Sequence, residues 1–204
     1  MKIIFATNNQ NKIKEIREIL ERPGIEVFPL DHIEGQPPQI VEDGKTFLAN
    51  ARKKALAIAE WAGMPALADD SGLIVDALGG EPGVVSSRYA GIEGDSVTNN
   101  NLLLERMEKV PDGQRNARFL CVICLATPSG RTWETDGTIE GWITREKRGT
   151  GGFGYDPVFL YKPAGMTFAQ MGSREKNTVS HRARAITAMA RRIPDIQEEL
   201  EKLS

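Results

Sequence analysis

Short apolar runs alternate with amphipathic helical patterns along the first part of the chain. Residues 3–6 and 27–30 have the length and apolar character of buried strands, and a helical stripe lies between them over residues 11–21. A second helical stripe covers residues 45–62 and leads into the apolar segment at residues 66–68. Strands separated by amphipathic helices are typical of a sheet that is buried beneath those helices. This order predicts an α/β fold.

The rest of the chain is richer in strand patterns. Helical patterns lie at residues 96–107 and 180–193, and strand patterns at residues 118–126, 132–143 and 157–161. A length of 204 residues suffices for one domain with its own core. We therefore expect a single domain over residues 1–204, built as a mixed β-sheet flanked by helices.

Two adjacent carboxylates, Asp69 and Asp70, follow the apolar segment and precede Ser71-Gly72. We expect one strand to end here and another to cover residues 73–78. Neighbouring carboxylates repel each other, so a divalent cation or a transferable proton would explain the pair. The alternative is a turn in which the aspartates bond the local backbone. Because side chains alternate between faces in an extended chain, only one carboxylate is expected to enter a site.

The composition excludes several classes of function. Lys and Arg number 26 and Asp and Glu 28, which gives a net charge of −2 and no broad basic surface for nucleic acid or a membrane. With two histidines and two cysteines, a zinc site is nearly excluded. Any metal ligands are therefore expected to be carboxylates, which favours Mg²⁺ or Mn²⁺.

Cys121 and Cys124 match the C-x-x-C spacing of redox and metal pairs. They lie in a strand pattern that places them on opposite faces, so we expect two reduced core cysteines. The first residues carry a short apolar run, well below the about seven to fifteen residues of a secretory leader. The longest apolar stretch, residues 119–126, is shorter than the roughly 18 residues of a membrane span. A cytoplasmic location is expected.

Two glycine-rich segments imitate nucleotide-binding motifs. Gly149, Gly151 and Gly154 satisfy G-x-G-x-x-G, but a strand pattern follows where a dinucleotide-binding fold needs a helix. Gly44-Lys45-Thr46 matches the end of a P-loop, yet Gln39 stands where that motif needs its first glycine. Both motifs are rejected.

The segment Thr7-Asn8-Asn9-Gln10-Asn11-Lys12 joins the first strand to the first helix. Backbone amides and the positive end of the helix dipole bind phosphate at such a position, and Lys12 would add a charge. An asparagine helix cap with a solvated lysine is the alternative. In the loop before the second helix, Glu42-Asp43 could supply a further carboxylate for Mg²⁺, and a surface acidic turn is the alternative.

Two further segments carry groups that suit a flat, polar ligand. Within residues 151–157 glycines surround Phe153, whose ring could stack on a base; the alternative is a turn with Phe153 filling the core. Lys176, His181 and Arg182 are donors that suit keto or phosphate oxygens; the alternative is the basic first turn of a solvated helix. Together these groups describe a nucleoside triphosphate site with metal-assisted hydrolysis.

In this order, the segments resemble the inosine triphosphate pyrophosphatase family. The matching stretches lie within residues 5–12, 42–55, 67–73, 79–89, 152–159 and 176–182. The resemblance implies an elongated mixed sheet flanked by helices, with two lobes, an active-site cleft between them, and a homodimer. It also implies Mg²⁺-dependent hydrolysis of the non-canonical purine nucleotides ITP, dITP and XTP to monophosphate and pyrophosphate, which cleanses the nucleotide pool.

The resemblance further implies a role for each matching position. Asp70 is the general base, and Glu42 and Asp70 ligate Mg²⁺. Thr7 to Lys12 and Lys54 hold the phosphates, Ser71 touches the substrate, and the remaining residues recognise the base. The substrate-binding set is Thr7, Asn8, Asn9, Gln10, Asn11, Lys12, Lys54, Ser71, Phe153, Gly154, Tyr155, Asp156, Lys176, His181 and Arg182.

Two other classes of function remain open. A nucleotidyltransferase would use the same triphosphate grip but form product only with a second substrate. A non-catalytic regulator would bind the nucleotide without turnover. The products formed from ITP and Mg²⁺ alone distinguish these classes from the hydrolase.

Overall fold

The computed structural model describes residues 1–20 and 24–202. The strands are β1 (Lys2–Phe5), β2 (Glu26–Phe28), β3 (Ala66–Val75), β4 (Asn116–Ala126), β5 (Thr132–Ile143), β6 (Phe159–Tyr161) and β7 (Met166–Thr167). The α-helices are α1 (Gln10–Leu20), α2 (Phe47–Ala62), α3 (Ser96–Arg106), α4 (Ser173–Val179) and α5 (His181–Glu201).

Over the described residues, seven strands form one sheet in the order β2-β1-β3-β4-β5-β6-β7. Strand β1 pairs in parallel with β2 and β3, whereas β6 pairs antiparallel with β5 and β7. The sheet is therefore mixed and carries helices, which confirms the predicted α/β class.

Contacts along the chain define two compact units. The first comprises Met1–Asp70, Cys121–Gly137 and Arg182–Ser204, and the second comprises Ser71–Leu120 and Thr138–His181. Boundaries between the units therefore fall between Asp70 and Ser71 and between His181 and Arg182.

In the first unit, both faces of β1 are covered. Ile3 and Phe5 pack in one cluster with residues of α1 and α5, whereas Ile4 packs in another with Ala55 and Ile58 of α2. Successive residues of a strand point to opposite faces, so an uninterrupted apolar run is what this position requires. Both faces of the strand are thereby closed to water, and its carboxyl end carries the polar turn that begins at Thr7.

The second unit has an aromatic core. The Phe159 ring lies 4.5 Å from Phe119 and 5.0 Å from Phe168, centroid to centroid, in tilted arrangements. Tilted pairs of this spacing stabilise a core beyond the area that they bury. Leu103 and Met107 pack into the same cluster from α3 and its C-terminal end. This core lies under the glycine-rich segment of the candidate site, because Tyr155 belongs to it.

Strand β3 is one continuous strand from Ala66 to Val75. The predicted strand end at Asp69-Asp70 and the turn alternative are therefore wrong. An acidic pair inside a strand is tolerated here because each carboxylate has its own cationic or amide partners, as described below.

Three other features differ from the predictions. The short elements β7 and α4 were not predicted, and α5 continues to Glu201 with Pro194 inside it, because Ile196 and Leu200 pack against the core. The predicted end of α1 at Glu21 lies outside the described residues. Both cysteines are buried thiols of β4, as predicted. Among the described helices, none is long and apolar enough to cross a membrane.

Candidate active site

The turn after β1 caps helix α1. The Thr7 hydroxyl accepts the Asn9 backbone N–H at 3.2 Å, and the Asn9 carboxamide oxygen accepts the Lys12 backbone N–H at 3.3 Å. Asn8, Asn9 and Gln10 are exposed, and the side chain of Asn11 lies outside the described set. An exposed helix N-terminus with a lysine in its first turn is thus confirmed, and Asn9 has the capping role of the alternative interpretation.

Lys12 is paired rather than solvated. Its Nζ lies 3.0 Å from the Asp69 carboxylate, and Asp69 also accepts Arg182 Nε at 3.4 Å. Arg182 donates in addition to Glu15 of α1. Burial alone would raise the pKa of Asp69, but the charges of Lys12, Arg182 and Lys54 lower it well below its usual value. Asp69 is therefore an ionised carboxylate held among cations from α1, α2 and α5.

Asp70 has a different environment from its neighbour. Its Oδ2 accepts Asn50 Nδ2 at 2.9 Å, a neutral donor. Burial raises the pKa of Asp70 to about 6, with Glu42 adding to the rise, while Lys54 and the Asn50 hydrogen bond oppose it. The pKa values of two adjacent carboxylates thus differ in opposite directions from the usual value. Asp69 stays ionised, and Asp70 can take a proton near neutral pH.

Lys54 lies at the centre of the acidic groups. Its Nζ donates to Glu42 Oε2 at 2.8 Å. Burial lowers the pKa of Lys54, but the carboxylates of Asp69, Glu42 and Asp70 outweigh burial and raise it. A buried ammonium that stays charged beside three carboxylates supplies a fixed positive charge, which suits phosphate oxygens.

The carboxylates of Glu42 and Asp70 suit a magnesium ion. The charge of Glu42 adds to the raised pKa of Asp70, and both side chains offer the hard oxygen atoms that Mg²⁺ prefers. Within residues 1–20 and 24–202, no three acidic, histidine or cysteine side chains form a closed metal cage. A partial ligand set fits Mg²⁺, which keeps several waters and binds through one or two carboxylates together with phosphate oxygens.

In the second unit, the glycine-rich segment is folded over Asp156. Gly152 has a φ of +70°, and a Cβ there would lie 2.0 Å from Asp156 Oδ2, so a side chain is excluded on both grounds. Asp156 Oδ2 accepts the Phe153 backbone N–H at 2.9 Å and Lys176 Nζ at 2.7 Å. The same Nζ lies 4.4 Å from the centroid of the Phe153 ring. Phe153, Asp156 and Lys176 are thus brought together.

Tyr155, not Phe153, fills the core of this segment. Tyr155 is buried and its hydroxyl donates to the Ser86 carbonyl at 2.9 Å, whereas Phe153 is half-buried. The carbonyl of Gly154 accepts Asn100 Nδ2 at 2.8 Å. The Phe153 ring is thus partly exposed and held by a bonded backbone on both sides, and its stacking on a base stays a prediction.

His181 and Arg182 are both buried, so the alternative of a solvated helix turn is wrong. The His181 ring stacks on Phe119 with a centroid distance of 4.7 Å and an interplanar angle of 12°. Arg182 is the partner of Asp69 and Glu15 in the first unit. Ser71 follows Asp70 in β3 and is half-buried.

Sequence reasoning missed Asn50 and Glu15. Both are polar residues on the inner faces of helices, and they are 1 % and 9 % exposed. A polar residue inside an apolar helical stripe is the signal that could have identified them, because a buried polar group requires a partner. Asn50 follows the pattern of Phe47, Ala51 and Ala55 on the inner face of α2.

Comparisons with known proteins agree with one another. The model of the Ham1 family matches residues 3–192. A dITP/XTP pyrophosphatase of Desulforamulus reducens is 50 % identical over 91 % of this chain and 92 % of its own length. One of Bacillus licheniformis is 46 % identical over 92 % and 95 %. A HAM1 protein structure from Coxiella burnetii superposes with a TM-score of 0.87 at 38 % identity, covering 96 % of this chain and 99 % of the other.

The family match spans both units of the chain and every segment on which the sequence resemblance depends. The identities of about half with relatives of nearly equal length leave no part of the site outside the matched region. This chain belongs to the Ham1 family.

Proposed function

We propose that this protein hydrolyses non-canonical purine nucleoside triphosphates, namely dITP, XTP and ITP, to the monophosphate and pyrophosphate. The observation that carries the proposal is the divergence of Asp69 and Asp70. One carboxylate is neutralised by cations, and the other has a pKa near 6 and can act as a general base. The similarity to dITP/XTP pyrophosphatases supports this substrate class.

The phosphates are assigned to the first unit. The exposed segment from Thr7 to Lys12 offers backbone N–H groups and the positive end of α1. Lys12 and Lys54 add two ammonium groups, each paired with a carboxylate. These charges offset the negative charge that develops on the phosphate oxygens during displacement.

Glu42 and Asp70 are proposed to hold Mg²⁺. When bound, the ion polarises phosphate oxygens and neutralises developing charge. Glu42 lies in the loop before α2 and is held by Lys54 at 2.8 Å, so the loop is already anchored beside Asp70. Asp69 is assigned no metal, because Lys12 and Arg182 already bind its carboxylate.

Asp70 is proposed to orient and deprotonate the attacking water. The water oxygen forms a bond to the α-phosphorus as the bond from that phosphorus to the bridging oxygen of pyrophosphate breaks, and the water proton passes to Asp70. A base with a pKa near the working pH combines the ionised form with a useful proton affinity. The charge of Lys54 and the Asn50 hydrogen bond oppose the effect of burial on the pKa of Asp70, so the carboxylate is mostly ionised at pH 7.

Base recognition is assigned to the Phe153–Asp156 segment with Ser71, Lys176, His181 and Arg182. Phe153 offers a face for stacking, and Lys176 and His181 offer donors to a keto oxygen at position 6 of the purine. Adenine carries an amino group there and would set donor against donor, at a cost of about 1–3 kcal/mol for each unpaired group.

The proposal is tested by incubating the purified protein with ITP or dITP and Mg²⁺ alone and identifying the products. Monophosphate with pyrophosphate supports the pyrophosphatase. Diphosphate with phosphate contradicts it, as does binding without turnover, which is expected of a regulator. Turnover that requires a second acceptor indicates a nucleotidyltransferase.

The activity is proposed to reside in a cytoplasmic homodimer, which the resemblance to the family implies. Light scattering after size-exclusion chromatography measures the oligomeric state directly. A monomer that retains full activity would contradict the dimer without affecting the assigned chemistry.

Protonation of Asp70 predicts an acid limb in the pH profile. At low Mg²⁺, kcat/KM is expected to fall as the pH drops through about 6, because the protonated carboxyl cannot accept the water proton. Mg²⁺ competes with the proton for the same oxygens, so a higher Mg²⁺ concentration should move the limb to lower pH. Profiles from about pH 5 to 9 at two Mg²⁺ concentrations test this, and a limb that does not move argues against Asp70 as a ligand.

His181 predicts a change in base selectivity. Replacing it by Ala should reduce the ratio of kcat/KM for ITP over ATP by about 10-fold, because the ring nitrogens are lost. His181→Phe retains the stack on Phe119 and should lower the ratio similarly. Phe119→Leu removes the stack and keeps the nitrogens, so its ratio should stay near wild type. If only the alanine variant changes, the effect is one of packing and the assignment is wrong.

A further inference from the structure

Asn50 is a buried side chain with a bonded group at each end. It is 1 % exposed and lies in the first turn of α2. Its Oδ1 accepts the Gly44 backbone N–H at 2.7 Å, and its Nδ2 donates to Asp70 Oδ2 at 2.9 Å. A carboxamide can accept at one end and donate at the other, whereas a carboxylate lacks the donor and an apolar side chain lacks both.

Gly44 shows how closely the loop before α2 approaches Asn50. A Cβ at Gly44 would lie 2.5 Å from Asn50 Oδ1 and 3.0 Å from Ala49 Cβ. A contact below 3.0 Å requires something to move, so a side chain at this position would displace the Asn50 carboxamide. Gly44 is two residues from Glu42, whose carboxylate is held by Lys54. One side chain thus connects the Glu42 loop to the strand that carries Asp70.

We propose that Asn50 is a positioning residue, which fixes the orientation of the Asp70 carboxylate and holds the Glu42 loop beside it. The inference rests on the proposed function, in which Asp70 is the base and shares the metal with Glu42. The terminal torsion of an aspartate is broad and is selected by its partners. A hydrogen bond from a buried amide selects one setting, and the Gly44 contact prevents the amide itself from turning.

The effect of Asn50 is expected in kcat rather than in KM. The phosphates are assigned to the Thr7–Lys12 segment and Lys54. Among the described residues, the Asn50 side chain forms hydrogen bonds with Gly44 and Asp70 and with neither of these phosphate-binding groups. Its loss therefore leaves the grip on the substrate and disturbs the groups that hold the water and the metal. Partners that orient a metal ligand typically contribute 10–100-fold to affinity or rate.

The experiment compares Asn50→Leu and Asn50→Asp with Thr46→Ala. The Thr46 hydroxyl caps the same helix by accepting the Ala49 N–H at 3.1 Å, and this bond does not involve Asp70. Both Asn50 variants should lose about 10–100-fold in kcat for dITP with KM within about threefold of wild type. Thr46→Ala should lose thermal stability and keep kcat within about twofold. Gly44→Ala, which pushes the carboxamide without removing it, should lower kcat as well.

A second readout does not depend on turnover. Titration calorimetry with Mn²⁺ alone should show about 10-fold weaker binding in Asn50→Leu and unchanged binding in Thr46→Ala. If wild type forms no monophosphate and pyrophosphate, the proposed function fails, and the Mn²⁺ titration still decides the role of Asn50. The positioning role is overturned if Asn50→Leu keeps wild-type kcat and Mn²⁺ affinity, or if its losses match those of Thr46→Ala at equal stability.

Discussion

Asp70→Asn is expected to lower kcat by about 10²–10⁴-fold while the protein remains folded. The substitution keeps the size of the side chain and an oxygen that can accept from Asn50, but it removes the group that takes the proton from water. It also removes one of the two proposed metal ligands. Single-turnover rates with dITP and Mg²⁺ measure the loss, and circular dichroism confirms the fold. Asp70→Asn with wild-type turnover would refute the assignment of the base.

The same variant should be more stable than wild type when Mg²⁺ is absent. The native pKa of Asp70, about 6, lies above the value of 3.8 that is usual for the residue. A carboxyl with a raised native pKa favours the native state when protonated, so its ionised form costs stability above about pH 6. This cost falls away as the pH drops from about 6 to below 3.8. The neutral carboxamide of the variant carries no such cost, and urea unfolding at pH 7.5 or so without metal should show the gain.

Asp43→Asn is the matched control for both measurements. Asp43 is an exposed carboxylate next to Glu42 in the loop before α2, and it is paired with Lys53 at 2.7 Å. Its removal deletes one carboxylate near the site without touching the buried groups. Turnover should remain within about twofold and stability within about 0.5 kcal/mol of wild type, as for most surface substitutions.

The fold could be predicted where a segment carries its own periodicity. The stripe of α2 and the alternation in β5 define these elements locally, so their bounds in the structure differ from the predicted ones by a few residues at most. A strand break was predicted at Asp69 because polar residues normally end a strand, and this prediction is wrong. Here the compensation comes from Lys12 and Arg182, which are distant in sequence. No local pattern shows such partners.

The site could be predicted as a set of residue types but not as an electrostatic arrangement. The alternation of side chains predicts that only one of Asp69 and Asp70 enters a site, but the sequence does not show how their pKa values differ. In the structure, Asp69 accepts from two cations, whereas Asp70 accepts from the neutral Asn50. The cations lower the pKa of Asp69, whereas burial raises that of Asp70, and this divergence supports the proposal that Asp70 is the base. The divergence depends on tertiary contacts alone, because burial raises the pKa of Asp70 and cations distant in sequence lower that of Asp69.

Arg182→Met is expected to destabilise the protein by about 3–5 kcal/mol. The guanidinium is 2 % exposed and pairs with Glu15 and Asp69, which are 9 % and 2 % exposed. Its removal leaves two buried carboxylates without this cation, and an apolar side chain of similar length does not replace its charge. Chemical denaturation at pH 7 or so measures the loss.

Arg52→Met provides the comparison for this loss. Arg52 pairs with Glu134 at 2.7 Å, but the two side chains are 47 % and 28 % exposed, so its removal should cost about 1 kcal/mol or less. If the loss in Arg182→Met comes from uncompensated charge, adding Glu15→Gln should recover part of it, because only one buried carboxylate then lacks this partner. A base-reading role alone predicts a different result: unchanged unfolding in Arg182→Met and a smaller preference for ITP over ATP. The two measurements together therefore decide whether Arg182 binds the nucleotide directly or acts by neutralising Asp69, the neighbour of the proposed general base Asp70.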